Sequence, residues 1–205
     1  MRRDRKAIRL KDCDYSEAGG YFITICTYNR KYLFGEISNQ EIMLNDTGEV
    51  VEQWWLKLEN KFANVKLDYH VIMPNHIHGI IMISEEKNDV GAIRELPLHR
   101  DKIERRRMLV PKIIGYFKMN SAKCINRLHD STGNPLWQRN YYEHIIRNES
   151  ELYRIREYIQ NNPPKWDLDR ENPFSKNFNL EHNQYWKEIY DLCRGNSCIA
   201  PTLWR

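Results

Sequence analysis

Residues 66–73 and 76–83 are two β-rich runs separated only by Pro74-Asn75. A two-residue break between such runs is a hairpin, so the middle of this chain must double back on itself as an antiparallel pair. A doubly wound parallel sheet, whose strands need long crossovers between them, fits this less well. Helical patterns flank the hairpin. Val51, Trp54, Trp55, Leu58 and Phe62 recur at helical spacing behind the capping-box pattern Asp46-x-x-Glu49, predicting a helix over 47–62. Ile113, Ile114, Phe117 and Cys124 do the same behind Pro111, predicting a second over 111–128. Residues 20–28 and 136–147 read as further strands, and Asn148-x-x-Glu151 opens a last helix that Pro163-Pro164 must stop. The order strand, helix, hairpin, helix, strand, helix predicts an α+β sandwich of ferredoxin-like type, an antiparallel sheet with helices on one face.

Hydrophobic residues make up 41% of the 205, enough to bury a core. The net charge is +4, and its distribution matters more than its size. Arg2, Arg3, Arg5, Lys6, Arg9 and Lys11 crowd the N-terminus, and Arg100, Lys102, Arg105, Arg106 and Arg107 form a second cluster. The latter falls in 85–109, a charged stretch without periodicity that reads as a surface connection; beyond 167 only a weak helix is expected, over 184–193. The five cysteines are scattered without a Cys-x-x-Cys pair, which argues against a disulfide framework or a thiolate zinc site. No apolar run is long enough to span a bilayer, so a cytoplasmic protein without a membrane partner is expected.

Two places hold candidate chemistry. His76 and His78 stand two apart on a strand, so both imidazoles share a face and can converge on one cation. By itself such a pair is more often two buried or surface histidines than a ligand set. On the last helix, Leu152, Ile155 and Ile159 form the apolar stripe, while Tyr158 and Asn162, one turn apart, lie together at its edge. A core-edge tyrosine and a helix-ending asparagine would have the same spacing. Tyr153 points elsewhere on that helix, Tyr141 and Tyr142 lie on the preceding strand, and His144 can either approach the pair or sit satisfied in the sheet.

The runs Tyr69-His70-Val71-Ile72-Met73-Pro74-Asn75-His76-Ile77-His78-Gly79 and Trp137-Gln138-Arg139-Asn140-Tyr141-Tyr142-Glu143-His144-Ile145-Ile146-Arg147-Asn148, followed by Tyr158-Ile159-x-x-Asn162-Pro163, resemble the REP-associated tyrosine transposases. These are HUH-class single-tyrosine DNA nucleases, and the resemblance extends over 9–166 with Arg9-Leu10-Lys11-Asp12-x-Asp14-Tyr15 and the strand Tyr21-Phe22-Ile23-Thr24-Ile25-Cys26-Thr27. It implies one transposase domain over 1–166 and an extension of unassigned role over 167–205. It also implies a ferredoxin-like core, Mg²⁺ or Mn²⁺ held by His76, His78 and Asn162, and Tyr158 as the nucleophile. The implied reaction is cleavage of single-stranded DNA beside hairpin elements through a 5′-phosphotyrosine link, by a monomer or a homodimer. Arg2, Arg3, Arg5, Lys6, Lys118, Lys123 and Arg139 are candidate phosphate contacts. Two other classes stay open: a non-cleaving DNA-binding protein derived from a transposase, and a metal-dependent phosphohydrolase using water.

Overall fold

The computed structural model describes residues 17–84, 108–169 and 171–175. Strand β1 (Gly19–Cys26) runs through the middle of a four-stranded sheet. On one side it pairs with β5 (His76–Ile83), which pairs in turn with β4 (Val65–Met73); on the other it pairs with β6 (Tyr142–Ile146). Every pairing is antiparallel. A small hairpin, β2 (Gly35–Ser38) and β3 (Glu41–Leu44), precedes α1 (Asp46–Lys61). With α2 (Leu109–Leu128) and α3 (Glu149–Gln160), the chain is a βαββαβ unit of ferredoxin-like strand order, carrying one inserted hairpin and one added helix.

The added helix departs from expectation. Val51, Trp55 and Leu58 of α1 and Ile113, Ile114 and Phe117 of α2 bury one face of the sheet with Tyr21, Ile23, Ile25, Ile77 and Ile81. Leu152, Ile155 and Ile159 of α3 bury the opposite face, on Phe22, Ile80 and Ile146. Helices therefore cover both faces, not one. The physical reason is that β1 and β5 are apolar at nearly every position, so a sheet covered on one side would leave Phe22, Ile80 and Ile146 in water. Each such side chain is stabilised by about 1.5–3 kcal/mol when buried.

Local signals account for the helix ends with small shifts: α2 begins at Leu109, two residues before the expected Pro111, which still lies in its first turn. Asn45, not Asp46, caps α1, its side chain accepting from Gly48 N at 3.0 Å. Asn148 caps α3 by accepting from Glu151 N at 2.8 Å, as its pattern predicts. Within the long strand expected over 136–147, only Tyr142–Ile146 pairs in the sheet; Trp137 instead bridges to Thr27. Between Leu67 and His70 the β4 register shifts. There the Asp68 carboxylate takes the Arg156 guanidinium, with Nε to Oδ1 at 3.1 Å and Nη2 to Oδ2 at 2.5 Å, which ties α3 to the sheet. The expected surface connection over 85–109 and the weak helix over 184–193 lie wholly or largely outside the described residues. Among the described residues no helix is long and apolar enough to cross a membrane.

Candidate metal and tyrosine site

Strand alternation turns Ile77 into the core beneath α1 and α2, and turns His76 and His78 to the other face, toward α3. The two imidazoles lie with ring centroids 4.4 Å apart and are fully buried. The Tyr158 hydroxyl reaches His78 Nε2 at 3.0 Å. Phenol and imidazoles thus meet within one chain. The ring of Phe22 lies 5.4 Å from that of His78 and 6.1 Å from that of Tyr158, lining the gap between them.

A carboxylate absent from the sequence-based set completes the arrangement. Asp169, buried and just past a short 3-10 turn (Trp166–Leu168), accepts from Asn162 Nδ2 at 2.8 Å through Oδ2, and that oxygen is 3.4 Å from the Tyr158 hydroxyl. Ligand atoms of His76, His78 and Asp169 all fall within 4.8 Å of one another, so this cluster can hold a metal ion. Asn162 comes to the same place, but as the amide that donates to Asp169, with its own Oδ1 buried and without a hydrogen-bond partner. His76 Nε2 is likewise buried without a partner. Two orphaned acceptors beside a carboxylate are costly to a protein unless a cation or a water faces them. Two imidazoles, a carboxylate and an amide oxygen make a mixed set that suits a divalent ion, so the residues fit.

Electrostatics agrees with that fit. Burial pushes His76 below the ordinary histidine value, against the opposing pull of Asp169 and Glu171. Burial, followed by the neighbouring His76, holds His78 well below it. Both imidazoles are therefore neutral at neutral pH, the form that carries a lone pair for a metal.

The segment after α3 closes this site. Trp166 tilts over His76 with centroids 6.0 Å apart, Arg30 pairs with Glu171 at 2.9 Å, and Asn75 Nδ2 donates to Glu171 O at 2.7 Å. The first residues of the extension thus pack on the site. His144 stands apart from it: its Nε2 bonds Glu151 at 2.7 Å, and the other oxygen of Glu151 accepts from Arg147 N, fastening the start of the tyrosine helix. Tyr153 is exposed, as its position on the wheel requires. Lys118 is half-buried, and its ammonium donates to the carbonyls of Gln138, Arg139 and Asn140. Lys123 and Arg139 are exposed, while Arg2, Arg3, Arg5 and Lys6 lie outside the described residues.

Sequence periodicity could not have found Asp169, which sits seven residues beyond Asn162 in a stretch without pattern. Thr24, whose Oγ1 is 2.8 Å from His78 Nδ1, was findable only through strand register, since it pairs directly with His78.

No family model matches the chain. A Haemophilus influenzae protein named as a REP-associated tyrosine transposase is 31% identical over 154 residues, 74% of this chain and 74% of that protein. An uncharacterized protein of the same organism is 42% identical over 167 residues, 81% of this chain and 92% of that protein. These likenesses define the chain as a transposase-related protein. The chain belongs to the REP-associated tyrosine transposases. Among solved structures it is similar to a REP-associated tyrosine transposase bound to a REP hairpin, at TM-score 0.44 and 18% identity over 100% of this chain and 98% of that one. A Deinococcus radiodurans protein described as a transposase aligns at TM-score 0.41 and 15% identity, over 78% of this chain and 97% of that one.

Proposed function

We propose that this protein is a metal-dependent nuclease and strand transferase for single-stranded DNA, cleaving beside hairpins through a 5′-phosphotyrosine intermediate. The observation that carries the proposal is the Tyr158 hydroxyl 3.0 Å from His78 Nε2, in a cluster with His76 and Asp169. A free phenol titrates near pH 10 and is a poor nucleophile at neutral pH. Mg²⁺ or Mn²⁺, held by His76, His78 and Asp169 with Asn162 beside them, would supply Lewis-acid polarisation of a phosphate oxygen.

The protein residues have distinct parts. Tyr158 attacks the phosphorus through its phenolic oxygen, forming a tyrosine–phosphate ester while the bond to the 3′-oxygen breaks. The leaving strand takes a proton and ends in a 3′-hydroxyl. Asp169 Oδ2, 3.4 Å from the phenol, is a carboxylate placed to accept the phenolic proton. The tyrosine ester keeps the energy of the phosphodiester, so a second 3′-hydroxyl can displace the phenol and rejoin strands without ATP. The exposed Lys123 and Arg139, with Arg2, Arg3, Arg5 and Lys6, are proposed to hold the DNA backbone, which predicts a steep salt dependence of binding. The preference for hairpin-bearing DNA follows from the family.

Incubation with a hairpin-bearing oligonucleotide and Mn²⁺, followed by a denaturing gel, tests this. A covalent adduct formed by the wild type and absent from Tyr158→Phe is the expected result. Turnover without an adduct would indicate hydrolysis by water, and a mobility shift without cleavage would indicate a binding protein; either refutes the proposal.

A further inference from the structure

We infer that Asn75 is a positioning residue: it holds His76 in the tautomer whose Nε2 lone pair faces the cation site. Asn75 is fully buried in the two-residue turn between β4 and β5. Its Nδ2 donates to Glu171 O at 2.7 Å and to Arg30 O at 3.3 Å. Both partners are carbonyl oxygens, which only accept, so the amide cannot be turned over without setting oxygen against oxygen. Its Oδ1 must therefore face His76 Nδ1, 2.8 Å away. An amide oxygen only accepts, hence Nδ1 carries the proton. In a neutral imidazole the other nitrogen then has the lone pair, and Nε2 is the atom left buried without a partner.

The turn is anchored as well as the side chain. Asn75 O accepts from Thr27 N at 2.8 Å, and Pro74 O accepts from Leu33 N at 2.8 Å and from Phe34 N at 3.1 Å. Asn75 thus joins three segments that meet at the site: the loop after β1, the histidine strand, and the segment carrying Asp169. Outer groups of this kind orient a ligand and raise its basicity, and their removal typically costs about 10–100-fold in metal affinity.

This role rests on the metal proposal above, and the experiment separates the two. Long-range ¹H–¹⁵N correlation spectra of the metal-free full chain report the His76 tautomer, and calorimetric titration with Mn²⁺ reports affinity. The wild type is expected to carry the His76 proton on Nδ1. Asn75→Ala is expected to lose that single tautomer and to bind Mn²⁺ about 10–100-fold more weakly. A wild-type proton on Nε2 overturns the inference even should the alanine variant fail to fold. Equal Mn²⁺ affinity of wild type and Asn75→Ala also overturns it, whereas a wild type that binds no Mn²⁺ overturns the metal site itself.

Discussion

Gly79 follows His78 on β5 and faces the opposite side of the sheet, where the fully buried Trp55 lies against it. A Cβ at Gly79 would stand 2.3 Å from Trp55 Cζ2 and 2.9 Å from Cε2, whereas ordinary contact begins at 3.4 Å. About 1 Å must be found, and an indole buried in the α1/α2 core has no free direction in which to give. Overpacking of this kind costs about 1–3 kcal/mol. For a chain of this size that lowers Tm by about 2–12 °C. Gly115 supplies the control, because it sits exposed within α2 and a Cβ there would meet nothing within 4 Å. Gly115→Ala should gain about 0.5–1 kcal/mol from helix propensity. The same chemical change is thus expected to have opposite signs at two sites, read by thermal or urea unfolding. A Gly79→Ala protein that melts at or above the wild type would refute the reasoning. Mn²⁺ titration of the variant adds where the strain goes: relief through β5 displaces His78 and weakens binding, while relief through Trp55 leaves it unchanged.

Two further outcomes follow from the buried ionisable groups. Glu151→Gln keeps the shape but removes the carboxylate that faces both His144 and Arg147 N, leaving an amide whose N–H either opposes the Arg147 N–H or requires His144 to present Nε2 as an acceptor, so the start of the tyrosine helix should loosen at a cost of about 1–3 kcal/mol, checked by the urea midpoint. Below pH 6.5 the metal-free protein should lose stability. His76 and His78 titrate below 6.5 when folded, so the unfolded chain takes up protons that the native state refuses. The histidine contribution is therefore fully present above 6.5 and falls with pH by up to about 1.4 kcal/mol per unit for each. Glu151 acts in the same direction at lower pH. Burial raises its carboxyl, but the bonds from His144 and Arg147 outweigh it and hold it below its ordinary 4.5, so the stability it lends is lost as pH falls from there. Unfolding curves in a chelator from pH 7.5 to 4 test both; a flat profile would contradict the buried, neutral histidines.

How much was legible in the sequence varies with the range of the interaction. The Pro74-Asn75 break, the Asn148 cap and the apolar spacings of α1, α2 and α3 are local, and each appears in the structure at or within a few residues of its predicted place. Pairing of His76 with His78 follows from the strand period alone, because backbone geometry sets which side chains share a side; Asn162, expected on the helix one turn after Tyr158, lies instead in the turn beyond its end at Gln160 and meets Tyr158 through Asp169. The face chosen by α3 does have a sequence signal: β1 and the Gly79–Ile83 part of β5 lack polar alternation, the mark of strands covered on both sides. The β2–β3 hairpin was hidden because its turn residues, Asn39 and Gln40, adopt positive φ without a glycine to announce it.

By itself, then, the order of residues determined which elements form and which side chains share a face, since both follow from periods of two and 3.6 residues. Only the tertiary structure decided that Tyr158 meets His78, that Asp169 joins them, and that Asn75 has its oxygen toward His76 and its nitrogen toward Glu171 and Arg30. Those contacts bring together residues distant in sequence, and their partners are chosen by packing across the sheet, which leaves no period in the chain to read.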